Sequence, residues 1–64
     1  MTREQKIEWL ANADAEKLLR QFEACSRRAS DPFETVNRDD RFTIEGIFED
    51  YELTKSELMK RLNK

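Results

Sequence analysis

Histidine is missing from this chain, cysteine occurs once, and no apolar run approaches the roughly 18 residues of a membrane span or the core of a signal peptide. Each absence removes a class of chemistry. One thiol and no imidazole fall short of the four Cys and His ligands of a structural zinc site. Cys25 has no partner for an internal disulfide, which is the pattern of a reducing cytoplasm. The polar opening, Met1 to Gln5, together with the lack of an apolar run, leads to the expectation of a soluble intracellular protein.

Hydrophobic residues are scarce as well, at 38%, whereas charged residues make up 41%. Such a balance belongs either to helices with solvated faces or to a disordered segment, and periodicity decides between them. With 64 residues the chain holds one domain, which buries only about 60% of its unfolded surface. A core of that size rarely stabilises a fold by more than about 3 to 5 kcal/mol, so self-association is expected to supplement it. The net charge of −2 is uneven. Residues 1–30 carry six basic and five acidic side chains, and residues 31–64 carry six and nine.

Three helices are legible, near 3–12, 14–29 and 43–62. Thr2 with Gln5 three residues later is a capping-box pair for the first. Asp14 is placed to cap the second, with Glu16 favourable in its first turn. At about 100° per residue, Ala15, Leu18, Leu19, Phe22, Cys25 and Ala29 form one apolar stripe of that helix. Arg27 and Arg28 suit its carbonyl end, and "SDP" at 30–32 stops it, because a residue before proline avoids the α region. The third helix opens near Thr43 and groups Ile44, Ile47, Phe48, Tyr51, Leu58, Met59 and Leu62 on a second stripe, interrupted by Lys55. At roughly 30 Å it outreaches its partner by some 8 Å. The connection 30–42 is long for a helical domain. A small hairpin from "FETV" and "RFTI" around "NRDD", an ordered binding loop and a flexible excursion are the alternatives, with an irregular acidic loop favoured.

Candidate sites follow from residue types. Asn37, Asp39, Asp40 and Glu45 resemble part of a calcium loop but lack its turn glycine, and Arg41 stands at a ligand position, so no metal is expected. Cys25 lies on an apolar stripe without a base, and Glu49 and Glu52 lie beside lysines on an open helix face, so neither enzyme activity nor a cofactor is expected. Arg20, Arg27 and Arg28, with Lys55, Lys60, Arg61 and Lys64 as a second cluster, are the candidates for phosphate contacts, although antiparallel packing separates the two groups and the pI is near 5.1. Asp39, Asp40, Glu45, Glu49, Asp50 and Glu52 would instead be the residues of an acidic nucleic-acid mimic.

The apolar residues outside the stripes point toward protein partners. Leu53 lies opposite the core stripe of its helix and is expected to be exposed. Trp9 lies about 160° round from Ile7 and is expected either to lid the end of the helical pair or to lie at an interface. Phe33 and Phe42 either staple the long connection to the core or anchor a partner.

The opening "MTREQKIEWLANADAEKLLRQFEACSRR" and the ending "EDYELTKSELMKRLNK", about two thirds of the chain, resemble a class of short, uncharacterised helical proteins encoded by phages and prophages of Gram-positive bacteria. In that class an opening like "EKIEWL", a second helix like "LLRQFE" and a closing "DYELTKSEL" flank a variable middle. The resemblance implies a small accessory protein of the host-cell cytoplasm that binds or inhibits a host or defence factor.

The expected architecture is therefore all-α: a short first helix, an antiparallel helical hairpin and a long acidic connection. Two hairpins are expected to pair as a homodimer through Tyr51, Leu58, Met59 and Leu62. The expected function is non-enzymatic protein binding through Trp9, Phe33, Phe42 and Leu53. Its rivals are a dimeric nucleic-acid-binding accessory protein using Arg20, Arg27 and Arg28, and the acidic mimic.

Overall fold

The computed structural model describes residues 2–63, which form four α-helices. α1 (Arg3–Asn12) starts from a complete capping box: the Gln5 amide donates to the Thr2 hydroxyl at 3.2 Å, and the Thr2 amide donates to the Gln5 side chain at 2.9 Å. α2 (Ala15–Ser30) is capped by Asp14, which accepts from the Lys17 amide at 2.8 Å. Thr43 caps the last helix by accepting from the Gly46 amide at 3.0 Å. A Cβ at Gly46 would lie 2.9 Å from that hydroxyl oxygen, so the only glycine of the chain leaves room for the cap.

The long connection is not an irregular loop, and no strand is present among the described residues. Asp31 ends α2 and at once caps α3 (Pro32–Arg38), accepting from the Glu34 amide at 3.2 Å. Proline at the first helical position is pre-set for the helix and has no amide to leave unpaired. An Arg38–Glu34 pair at 2.7 Å spans one turn of it. The Asp39 carboxylate then accepts from both the backbone amide and the guanidinium of Arg41, which makes a tight turn into α4 (Ile44–Leu62). The stretch read as one loop is thus a helix between two short hinges.

α4 is the element that each of the other three helices packs against. Arg61 near its end bonds the Ala13 carbonyl just before α2, while Arg28 near the end of α2 covers the Phe42 ring just before α4. α2 and α4 therefore run antiparallel. Leu18, Cys25, Ile47 and Thr54 fill the seam between them, and Phe22 stacks on Tyr51 with ring centroids 5.5 Å apart. The two predicted stripes are wider than this seam: Ala15, Leu19, Phe48, Met59 and Leu62 are exposed. Each helix offers its neighbour only a narrow line of contact, which the inner residues occupy.

Thr54 is fully buried although its side chain is polar. Its hydroxyl donates to the Asp50 carbonyl one turn earlier at 2.7 Å, which leaves its oxygen facing the Cys25 sulfur at 3.9 Å. The hydroxyl proton is already used, so the thiol is the donor across the seam. Gln21 donates to the sulfur at 3.5 Å.

Burial, the largest influence on the Cys25 thiol, pushes its pKa above the ordinary 9.0. Two consequences follow. A disulfide reagent near pH 8 is expected to label native Cys25 at least about 100-fold more slowly than the urea-denatured chain, because attack must wait for opening of the core. Labelling at the denatured rate would show that the thiol is not enclosed. Because the folded chain holds this proton more tightly than the unfolded one, the associated stability is intact below pH 9.0 and is lost as the pH rises through the folded value. Lys6 acts in the same alkaline direction, since a hydrogen bond to Asp50 raises its pKa above 10.5.

Candidate functional site

α1 is short, with apolar residues scattered around it, and only Leu10 of this helix is buried. Its attachment to α4 is largely polar. The Lys6 ammonium lies 2.8 Å from Asp50 and 3.3 Å from Glu49. At the other end, the Arg61 guanidinium donates to the carbonyls of Leu10 at 3.0 Å and Ala13 at 2.6 Å, with Ala11 farther off at 3.4 Å. Its Nε binds Glu57 at 2.9 Å. α1 has no basic residue in its own last turn, so Arg61 supplies from α4 the cation that a carbonyl end favours.

Held in this way, α1 lies over Leu53. The residues Asp50, Leu53, Glu57 and Arg61 recur every three or four positions and form a second line of α4 contacts, separate from the seam with α2. Leu53 is therefore half-buried beneath α1 and not exposed opposite the core as expected. α4 has two covered faces, one toward α2 and one toward α1, where a single apolar stripe predicts one.

A cleft of ≈ 220 Å³ opens between α1, α2 and α4. Trp9, Leu10 and Leu53 make its apolar wall, and Lys6, Gln21 and Asp50 its polar rim, with Thr54 behind. On the other flank of α1 a second cleft of ≈ 260 Å³ shares Leu10 and Leu53 and adds Ile7. Trp9 stands along the side of the helical pair, 45% exposed, and does not lid its end. The structure thus joins two of the expected partner-binding residues, Trp9 and Leu53, in one site. Phe42 is instead held under the Arg28 guanidinium, 4.7 Å from the ring centroid, and Phe33 on α3 is 69% exposed. Only Phe42 staples the connection. Of the expected self-association residues, Met59 and Leu62 are exposed, whereas Tyr51 and Leu58 are half-buried.

The charged candidates are mostly matched within the chain. Arg20 pairs with Glu16 at 2.6 Å and Arg27 with Glu23 at 2.7 Å, each one turn earlier on α2. Arg28 covers Phe42, and Arg61 is taken up by α1. Lys64 lies outside the described residues. Among the acidic residues, Glu49 and Asp50 meet Lys6, and Asp39 meets Arg41 at 2.7 Å. The Arg41 hydrogen bonds hold the Asp39 carboxyl down at about 2. No group of three or more His, Cys, Asp or Glu side chains suited to a metal ion occurs among the described residues, and Asp39 of the calcium-like segment is committed to Arg41.

No protein-family model, curated protein or solved structure matches the chain. Among the described residues, no helix is long and apolar enough to cross a membrane.

Proposed function

We propose that this is a small non-enzymatic accessory protein that works in the cytoplasm by binding another protein, with the cleft beside Trp9 receiving an apolar side chain of the partner. The reading rests on Trp9. A half-exposed indole beside a concave apolar wall, rimmed by a fixed ion pair, has the anatomy of a binding hot spot, where tryptophan is enriched. In the setting implied by the phage-protein resemblance, the partner is a host or defence protein that the bound chain inhibits. A phosphate-binding role has less to draw on, because Arg20 and Arg27 are already paired on their own helix.

The test is site-specific photocrosslinking in host cells with a photoreactive residue at position 9, and at position 33 as an exposed control. A protein captured from position 9 is expected to lose about tenfold or more in affinity toward purified Trp9→Ala, with little change between about 0.1 and 0.5 M salt. Capture from position 33 alone, affinity unaffected by Trp9→Ala, or recovery of nucleic acid released by salt would each overturn the reading.

A further inference from the structure

The opposite side of the α2–α4 pair carries a second apolar surface, and we infer that a second copy of this chain docks there, α4 against α4 in antiparallel register. Taken at about 100° per residue from Thr54, Asp50, Leu53 and Glu57 turn toward α1, while Tyr51, Lys55, Phe48, Met59 and Leu62 turn the other way. On α2 the same side carries Leu19 and the edge of Phe22, because Gln21 turns toward the α1 cleft. The exposures on this side are high for large apolar residues: 58% for Leu19, 46% for Phe48, 51% for Met59 and 77% for Leu62.

Area and charge both specify the occupant. At about 200 Å² for a large side chain, these four residues expose on the order of 400 Å² per copy. That is about half of the roughly 800 Å² each partner contributes to a standard interface, and Phe22, Tyr51 and the stem of Lys55 add to it. The surface is elongated along a 19-residue helix, so it is best covered by another helix of equal length.

Lys55 at the centre of the stripe then selects the orientation. Parallel pairing about a two-fold axis would set Lys55 against its own copy and bury two like charges, which costs stability. Antiparallel pairing with full overlap of Ile44–Leu62 puts the axis at residue 53, and a slip of one residue puts it midway between Leu53 and Thr54. In the slipped register Lys55 comes level with the partner's Glu52, Phe48 with the partner's Met59, and Leu62 falls between the partner's Ile44 and Phe48. Charge matching therefore lies within one residue of maximal overlap. This face is separate from the Trp9 cleft, so neither proposal depends on the other.

Sedimentation equilibrium of the full chain, between roughly 10 µM and 1 mM, reads the outcome directly. The mass is expected to rise from 7.7 kDa toward twice that value. Lys55→Glu and Glu52→Lys should each weaken the dimer about tenfold or more, and the double exchange should restore it to within about threefold of the wild type. Both positions are exposed, and unchanged circular dichroism confirms that the variants remain folded. A wild type that stays monomeric at 1 mM overturns the dimer. A dimer indifferent to Met59→Glu overturns the face, and single exchanges that weaken without rescue in the double overturn the antiparallel register.

Discussion

Leu18→Ala is expected to remove about 3 kcal/mol of stability and leave at most about 2 kcal/mol holding the fold at 25 °C. Leu18 has no exposed surface, and it sits in the seam whose other members are Cys25, Ile47 and Thr54. Truncating a buried leucine typically costs about 2 to 5 kcal/mol, from lost transfer free energy and from the cavity left behind. In a chain whose whole stability is of order 3 to 5 kcal/mol, that is most of the total. The adjacent residue provides the control. Leu19→Ala removes the same atoms from an exposed position and should cost no more than about 0.5 kcal/mol in the monomer. Urea titrations followed by circular dichroism compare the two, and near-equal effects would show that the seam does not carry the fold.

Arg61→Met is expected to cost about 2 kcal/mol and to free α1 while leaving the α2–α4 pair helical. The substitution keeps an apolar stem but withdraws the donors that reach the Leu10 and Ala13 carbonyls and the Glu57 carboxylate. Charge-assisted bonds of this kind contribute roughly 1.5 to 3 kcal/mol, and the Glu57 side chain, mostly covered, is left unpaired. Arg61→Lys should recover less than half of the loss, because an ammonium cannot span the carbonyls and the carboxylate as a planar fork does. Amide hydrogen exchange distinguishes local from global loss. Protection should fall in α1 first, and a uniform fall across all helices would contradict the clasp.

The local features of this fold are legible in the sequence, and the contacts between distant residues are not. The caps at Thr2, Asp14 and Thr43 can be read because a hydroxyl or carboxylate three residues ahead of a free amide is a short-range pattern. α3 carries a signal of the same kind, Asp31-Pro32 followed by Glu34, but a proline directly after an apolar stripe serves equally as the stop of α2. Periodicity identified Leu18, Cys25 and Ile47 and overstated Leu19, Phe48 and Leu62, since a stripe shows which way residues turn and not how much of it a neighbour covers. Thr54 escaped because a threonine that satisfies its hydroxyl on its own helix behaves as a small apolar residue. In the cleft, Trp9 stood out by type, but its pairing with Leu53 depends on Arg61 and Lys6, which place α1 and lie dozens of residues from their partners.

The Arg61 clasp also orders events during synthesis. α1 is made first, but the guanidinium that fixes it belongs to a residue 48 positions after Ala13. At about 5 to 20 residues per second, a ribosome needs roughly 2 to 10 s to cover that distance. α2, α3 and α4 can meet their neighbours as they emerge, whereas α1 waits for the far end of α4. The Trp9 cleft therefore comes into being only with the last turn of the last helix, and a nascent chain halted before residue 61 would carry the indole without the site.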